Sequence, residues 1–466
     1  MPYSTGRRRT HQIELLRAQF AQADGLPFAD VLSGERIEQA LEDEGAVWRE
    51  AVYTPLLTLW AFLAQVMSPD GSCRAAVARA LAWLVAQGQP PCTPKTDPYC
   101  KARHRLPESL LPRLVRETGR ALHGDARADW RWKGRKVKVV DGTTVSMPDT
   151  PANQAAYPQN PSQAPGVGFP IARLVVVFCL ACGSVLDAAV GRYQGKATGE
   201  NALLRTLAEA FEPGDVVLGD RYYGGWFDLA LWQQRGVDVV VRLHQLRTAD
   251  FRRGRRLGPR DHVVQWPKPQ RPDWMDDATY AALPAALEIR EVDVRVTQPG
   301  FRTRRLVVVT TLLDAAAFPA RDLAALYRAR WHAELDLRSL KITLGMDVLR
   351  CKSPEMIRKE LWAHLLAYNL IRTVMAQAAH DLDVTPRDLS FKAALQTLTA
   401  FAERLLDAAA GTAERLRAEL LKAIARHVVG ERPDRVEPRA RKRRPKDYPH
   451  LKGPRHQARN FHYAKT

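Results

Sequence analysis

Cysteine is scarce in this chain. The six cysteines are spread thinly from Cys73 to Cys351, and that excludes a framework of disulfides. Cys179 and Cys182 are spaced C-x-x-C, which is half of a zinc site. No second pair lies near them and both sit in an apolar run, so a buried strand is expected there. Long apolar runs are also missing. The most apolar window, Leu174 to Val190, is interrupted by Asp187 and contains Gly183. It suits two buried strands better than a membrane span. The opening MPYSTGRRRTHQIELL is basic with no apolar stretch behind it, so no secretory signal is expected. The glycines of GDRYYGG lack the spacing of a phosphate loop, which argues against ATP binding. The twelve histidines show no ligand spacing, and His332 and His364 read as helix-surface or core residues.

Acidic residues are the next shortage. Asp and Glu number 51 against 70 Lys and Arg, leaving a net charge of +19. A field of that sign favours a polyanion, with nucleic acid the first candidate. An anionic membrane surface is the second, but no segment supports it. The rest of the composition is ordinary. A hydrophobic fraction of 46% and a charged fraction of 26% belong to a chain that mostly folds. Its 466 residues suffice for roughly two to four domains.

Residues 1–130 read as helical, with a Pro-rich break at GQPPCTPKTDP and a shorter helical pattern over 108–122. Such a moderately basic helical domain could dock DNA or be purely structural. From Lys136 the period becomes that of strands. KVKVVDGTTVSM places Val137, Val139, Asp141 and Thr143 on one face. ARLVVVFCLA and SVLDAAVGRYQ read as two paired strands across Cys182, Gly183 and Ser184. A helix over 200–211, a strand at 216–220, a short helix ending at Gly236 and a strand at 237–243 complete an α/β rhythm. A β-rich insertion over 244–303 interrupts it, and it resumes at RLVVVTTLL. A long helix is expected from about Arg321 to Leu344, a second from Pro354 to about His380, and helices again over 385–428. The tail carries RARKRRPK with little apolar content, and is expected to be disordered or wrapped on DNA.

The helix over 321–344 is the most informative segment. At about 100° per residue, Tyr327, Arg330, Glu334, Arg338 and Lys341 fall within an arc of roughly 80°. Ala329, Ala333, Leu337, Leu340 and Leu344 form an apolar stripe beside them. One acid among bases and an aromatic differs from the even mixture of a solvated, salt-bridged face, although that plainer reading stays open. Asp141 and Asp220 each end a Val-rich strand, and a carboxylate there costs desolvation unless it meets a cation. With Glu334 they could cage Mg²⁺, which takes oxygen ligands. Two such ions about 3.5–4 Å apart could clamp a phosphodiester. Ordinary strand-end polar residues are the alternative.

The string Y-x-x-R-x-x-x-E-x-x-x-x-x-x-K, here Tyr327, Arg330, Glu334 and Lys341, resembles the signature of the DDE transposases of the insertion-sequence-four family. VVDGTTVSMPDT and VVLGDRYYGGWFDL resemble that family's first and second acidic motifs, in the right order. The resemblance covers roughly 50–450. It implies an α/β fold: a ribonuclease-H-like catalytic core interrupted by a β-rich insertion, with helical N-terminal and C-terminal regions. The domains would be a helical DNA-binding domain at 1–130, the core in two parts at 131–243 and 304–380, the insertion at 244–303, and a helical region with a basic tail at 381–466.

The resemblance also implies roles. Asp141, Asp220 and Glu334 would hold two divalent ions, Mg²⁺ with Mn²⁺ as a substitute. Tyr327, Arg330 and Lys341 would grip phosphates, with Arg338 beside them; arginine suits a forked contact and lysine a point charge. Trp331 would pack on an extruded base or on its own helix, and Trp266 of the insertion is a further candidate for a flipped base. Water would attack at the transposon end, and the freed 3′-hydroxyl would attack the opposite strand or target DNA. The partners would be the terminal inverted repeats of the element and target DNA, bound by a homodimer on paired ends, with no membrane. The expected location is cytoplasmic and nucleoid-associated. A nuclease of the same fold, and a non-catalytic DNA-binding protein derived from a transposase, are the rivals.

Overall fold

The computed structural model describes residues 32–45, 52–86, 88–295, 305–406, 408, 410–429 and 450–458. The RARKRRPK stretch lies outside the described residues, as do residues 1–31 and the end of the β-rich insertion.

Among the described residues five helices come first: α1 (Gly34–Asp43), α2 (Pro55–Met67), α3 (Cys73–Ala86), α4 (Asp97–Arg105) and α5 (Leu110–Gly124). Local chemistry starts α2. The Thr54 hydroxyl accepts from the Leu57 amide, and Pro55 fills the first turn, where its missing N–H costs nothing. The Pro-rich break falls between α3 and α4.

The strands are β1 (Val137–Ser146), β2 (Ile171–Cys179), β3 (Val185–Arg192), β4 (Val216–Leu218), β5 (Asp238–Arg242), β6 (Arg255–Gly258), β7 (Asp261–Pro267), β8 (Ala286–Arg295) and β9 (Arg305–Thr310). They form one nine-stranded sheet in the order β3-β2-β1-β4-β5-β9-β8-β7-β6. β1, β2 and β3 are an antiparallel meander, while β4 runs parallel to β1 and β5 parallel to β4. The short helices α6 (Pro151–Ala156), α7 (Glu200–Arg205), α8 (Trp226–Gln234) and α9 (Asp277–Ala282) lie between strands.

Strand alternation divides the core in two. Val137, Val139, Leu174, Val176, Val216 and Leu218 face one layer, and Val140, Val175, Val177, Val217 and Val239 face the other. Leu203, Leu204, Trp226 and Leu229 from α7 and α8 fill the second layer. The first is filled from α5 and from helices that follow the sheet: α10 (Ala320–Ala329), α11 (Trp331–Arg338), α12 (Pro354–Asp381), α13 (Phe391–Leu406) and α14 (Ala410–Ala425). α12 is buried on nearly all sides and packs with α5 on β3. Its Asn369 closes the exposed edge of β3, accepting from the Val185 amide at 2.7 Å and donating to the Val185 carbonyl at 2.9 Å. Gly119 of α5 is required at that crossing, because a Cβ there would stand 2.0 Å from the Val185 oxygen. No helix of the described residues is long and apolar enough to cross a membrane.

The structure adds to the sequence-based expectation at the insertion and alters it in the long helix. The insertion strands extend the main sheet: β9, which follows the insertion, pairs antiparallel with β5, and the insertion strands β8, β7 and β6 follow outward from β9. Trp266 is consequently a core side chain, 4% exposed in the second layer. Its Nε1 donates to Glu291 at 3.1 Å, and the Arg247 guanidinium covers its ring at 3.9 Å. A ring so enclosed cannot meet a flipped base. The expected helix over 321–344 is α10 and α11 joined at Arg330, and it ends in a π turn, Ser339–Thr343. Arg330 keeps helical angles, but the ladder tightens there, with the Ala333 amide bonded to the Arg330 carbonyl at 3.0 Å. The π turn widens the last turn, with the Leu344 amide reaching the Ser339 carbonyl at 3.0 Å.

Candidate active site

Strand register brings the first two acids together. Val139 of β1 pairs in parallel with Leu218 of β4. Asp141 lies two residues beyond Val139 and Asp220 two beyond Leu218, so the acids stand at one level, Asp141 in the middle of β1 and Asp220 just past the end of β4. Asp220 also caps the 3₁₀ turn that follows, its carboxylate accepting from the Tyr222 amide at 2.7 Å. The third acid comes from above: α11 packs against β1, and Glu334 lies in its first turn.

One guanidinium joins two of these acids. Arg330 donates to Glu334 at 2.7 Å and stands 3.8 Å from Asp141. Burial pushes the Asp141 carboxyl up to about 6; Arg330 opposes this, and the negative charges of Asp220 and Glu334 add to it. Asp141 thus feels the charge of both other acids. Among the described residues no three His, Cys, Asp or Glu side chains stand together as a ready-made metal cage. Arg330 accounts for this physically, since a cationic group already lies between Asp141 and Glu334. The groups gathered here are all carboxylates, a donor set of the kind that a hard divalent ion takes.

The other expected residues divide into two groups. Lys341 reaches the acid face of β1, with its ammonium 3.2 Å from the Thr143 hydroxyl and 2.9 Å from Asp347. The π turn brings it there. Tyr327 is half-buried beside Arg330, and burial pushes its phenol up. Arg338 and Trp331 point outward, Trp331 being 49% exposed.

Glu200, at the start of α7, was not among the residues singled out from sequence. Its carboxylate lies over Gly142, the residue after Asp141, where a Cβ would come within 2.3–2.6 Å of it. The Tyr223 hydroxyl donates to it at 3.2 Å. Tyr223 is buried three residues after Asp220, and its phenol is pushed up by burial and then by Glu200, Asp141 and Asp220. The local sign in the sequence is that the residue after Asp141 lacks a side chain. A glycine in a strand often marks close approach by another group.

A family model described as the transposase DDE domain matches residues 132–370, a span that contains all three acids, Glu200 and the Arg330–Lys341 segment. The chain belongs to the DDE transposase family. It is 27% identical over 426 residues to the transposase InsG for insertion sequence element IS4 of Escherichia coli strain K12, covering 90% of this chain and 92% of that one. The transposase for insertion sequence element IS421 of Escherichia coli is 37% identical over 81 residues, 17% of this chain and 21% of that one. Among solved structures, the piggyBac transposase synaptic complex with hairpin DNA covers 87% of this chain and 86% of that one, with 11% identity and a TM-score of 0.42. As a DDE transposase the chain is a DNA-binding, metal-dependent enzyme of DNA strand cleavage and strand transfer.

Proposed function

We propose that this transposase cleaves at the inverted-repeat ends of its own element and joins those ends to target DNA, with Asp141, Asp220 and Glu334 holding two divalent ions. The observation that carries the reading is the register of β1 and β4, which sets two acids level beneath Glu334. The strand order β3-β2-β1-β4-β5, with only β2 antiparallel to its neighbours, supports a ribonuclease-H-like core, extended by the insertion strands. Mg²⁺ suits the all-oxygen donor set, with Mn²⁺ as a substitute. When bound, the ions supply Lewis-acid charge at the scissile phosphate.

The chain's own residues do the rest. Arg330 exchanges its carboxylate partners for a phosphate, where its fork matches two oxygens. Lys341 offers a point charge one strand position beyond Asp141, and Tyr327 lines the same face. Trp331 and Arg338, on the outer side of the helix, meet the DNA end. Base stacking on an aromatic contributes about 1–3 kcal/mol. Joining two ends needs two such sites, so the working form is a homodimer on paired ends. Incubation with paired transposon ends and a target plasmid in Mg²⁺ tests the reading. Joined products are expected, with end binding reduced in Trp331→Ala and Arg338→Ala. Cleaved ends without joined products would make the protein a nuclease; binding without cleavage in Mg²⁺ or Mn²⁺ would make it a non-catalytic DNA-binding protein.

Glu200 belongs in this site as a positioning residue. Through Tyr223 it ties the turn after Asp220 to the strand that carries Asp141. Glu200→Ala is expected to lower cleavage about 10–100-fold, the range for supporting partners of metal ligands. It should also raise the Mg²⁺ concentration needed for half-maximal cleavage, leaving end binding unchanged. A lower rate with an unchanged Mg²⁺ dependence would remove Glu200 from this role.

A further inference from the structure

Outside the site of the three acids, a second chemical cluster lies between α3, α4 and the segment leading into α12. Arg103 of α4 is buried, 6% exposed, and among the described residues no carboxylate pairs with it. Its Nε has no hydrogen-bond partner. Its guanidinium lies 4.9 Å from the ring centres of both Phe62 and Tyr99. A buried cation without a counter-charge is costly. The acidic protons near it belong to thiols. Arg103 stands 3.3 Å from the Cys73 sulfur and 3.6 Å from the Cys100 sulfur, and those two sulfurs are 3.9 Å apart.

We propose that Cys73 and Cys100 form a thiol modification site, with Arg103 as the counter-ion of a reactive thiolate, that small disulfides oxidise to an intramolecular disulfide. Two electrons pass in two exchanges. The Cys100 thiolate attacks one sulfur of the small disulfide, the S–S bond breaks, and one small thiolate leaves. Cys73 then gives its proton to solvent and attacks the Cys100 sulfur, expelling the second small thiolate. The protein pair is oxidised and the small disulfide is reduced to two thiols.

The surroundings favour Cys100 as the attacking group. The hydrogen bond shared with Cys73, and then Arg103, hold its thiol down, against the opposing effects of burial and Asp97. The same shared bond, with burial, pushes Cys73 up. Cys351 faces the cluster from the segment before α12, but burial and Glu360 push its thiol up, so it stays protonated. Tyr99, buried beside Arg103, is also pushed up by burial and remains a neutral phenol. Cys73 and Cys100 are both half-buried, so a small disulfide has access, whereas Cys179 and Cys182 are fully enclosed.

The full-length protein, treated with oxidised glutathione at neutral pH and then alkylated, tests this by peptide mass spectrometry without reduction. A Cys73–Cys100 linked peptide is expected, reversed by dithiothreitol, with Cys179 and Cys182 untouched. Cys73→Ser should trap Cys100 as a mixed disulfide with glutathione. In the untreated protein, Cys100 should be alkylated at pH 6 at least ~10-fold faster than Cys351, because the thiolate is the reactive form. A linkage through Cys351, an unmodified Cys100, or equal alkylation of Cys100 and Cys351 would overturn the proposal.

Discussion

Glu334→Gln is expected to lose strand cleavage by more than about 10³-fold, roughly 4 kcal/mol of barrier, while binding transposon ends as well as the parent. The substitution removes a charge and little else. Glutamine keeps the length of the side chain and an oxygen to accept from Arg330, which now bonds Glu334 at 2.7 Å. Glu334 is part-exposed, so folding should be barely affected. A divalent ion, in contrast, distinguishes carboxylate from amide strongly, because anionic oxygens offset its dehydration. End binding rests on positive charge against phosphate. Losing one negative charge beside the DNA therefore cannot weaken it. A nicking assay and a gel-shift assay on the same preparation separate the two effects. Full cleavage by the variant in Mg²⁺ would sink the metal role, and equal loss of binding and cleavage would make Glu334 a DNA-contact or folding residue instead.

The two aspartates were legible because the apolar pattern of KVKVVDGTTVSM and VVLGD fixes the direction of each side chain; the expected strand end holds for Asp220 but not for Asp141, since β1 runs on to Ser146 through its pairing with β2. The helix signature added Glu334 and its basic neighbours. What the sequence hid was contact between distant segments. Glu200 reaches Gly142, beside Asp141, only because the chain returns through β2, β3 and α7, and period-2 alternation says nothing of that return. The insertion strands were readable as strands, but alternation does not say which edge they join; β9 takes the edge of β5, and β8 of the insertion pairs on β9. The π turn that aims Lys341 at Thr143 has no local signature, since SLKIT would continue an ordinary helix. Trp266 was misjudged because an aromatic in a polar insertion reads as exposed until the sheet beneath it is known.

Asp336 was hidden in the same way, and its substitution should have the largest effect on stability. In sequence it is one more acid on a polar helix. In the structure its side chain is 0% exposed, held by Arg372 of α12 and by Arg387, whose nitrogen lies 2.6 Å from it. Those partners lie 36 and 51 residues further on, beyond the reach of any helical pattern. Burial alone would push the Asp336 carboxyl up, but Arg387 and then Arg372 outweigh it and hold the carboxyl below its ordinary range. The sign is that of a depressed acid: the stabilisation is fully present at neutral pH and is lost only as acid takes the pH down through the lowered value. Arg387 also donates to the Leu180 and Cys179 carbonyls, at 2.6 and 2.7 Å, so the cluster fastens the catalytic helix to the end of β2. Asp336→Asn leaves two buried guanidiniums sharing one neutral oxygen. Breaking such a buried group from one side costs about 3–5 kcal/mol, and a fall of several degrees in Tm is expected. Cleavage should fall with it, because Glu334 lies two residues away on the same helix. Asp336→Leu with Arg372→Met and Arg387→Met removes all three charges together and should recover most of the lost Tm, since apolar replacement of a whole buried ion cluster is often neutral. A Tm for Asp336→Asn within about 1 °C of the parent would mean that the two arginines find other partners, and that the helix is held by its leucines alone.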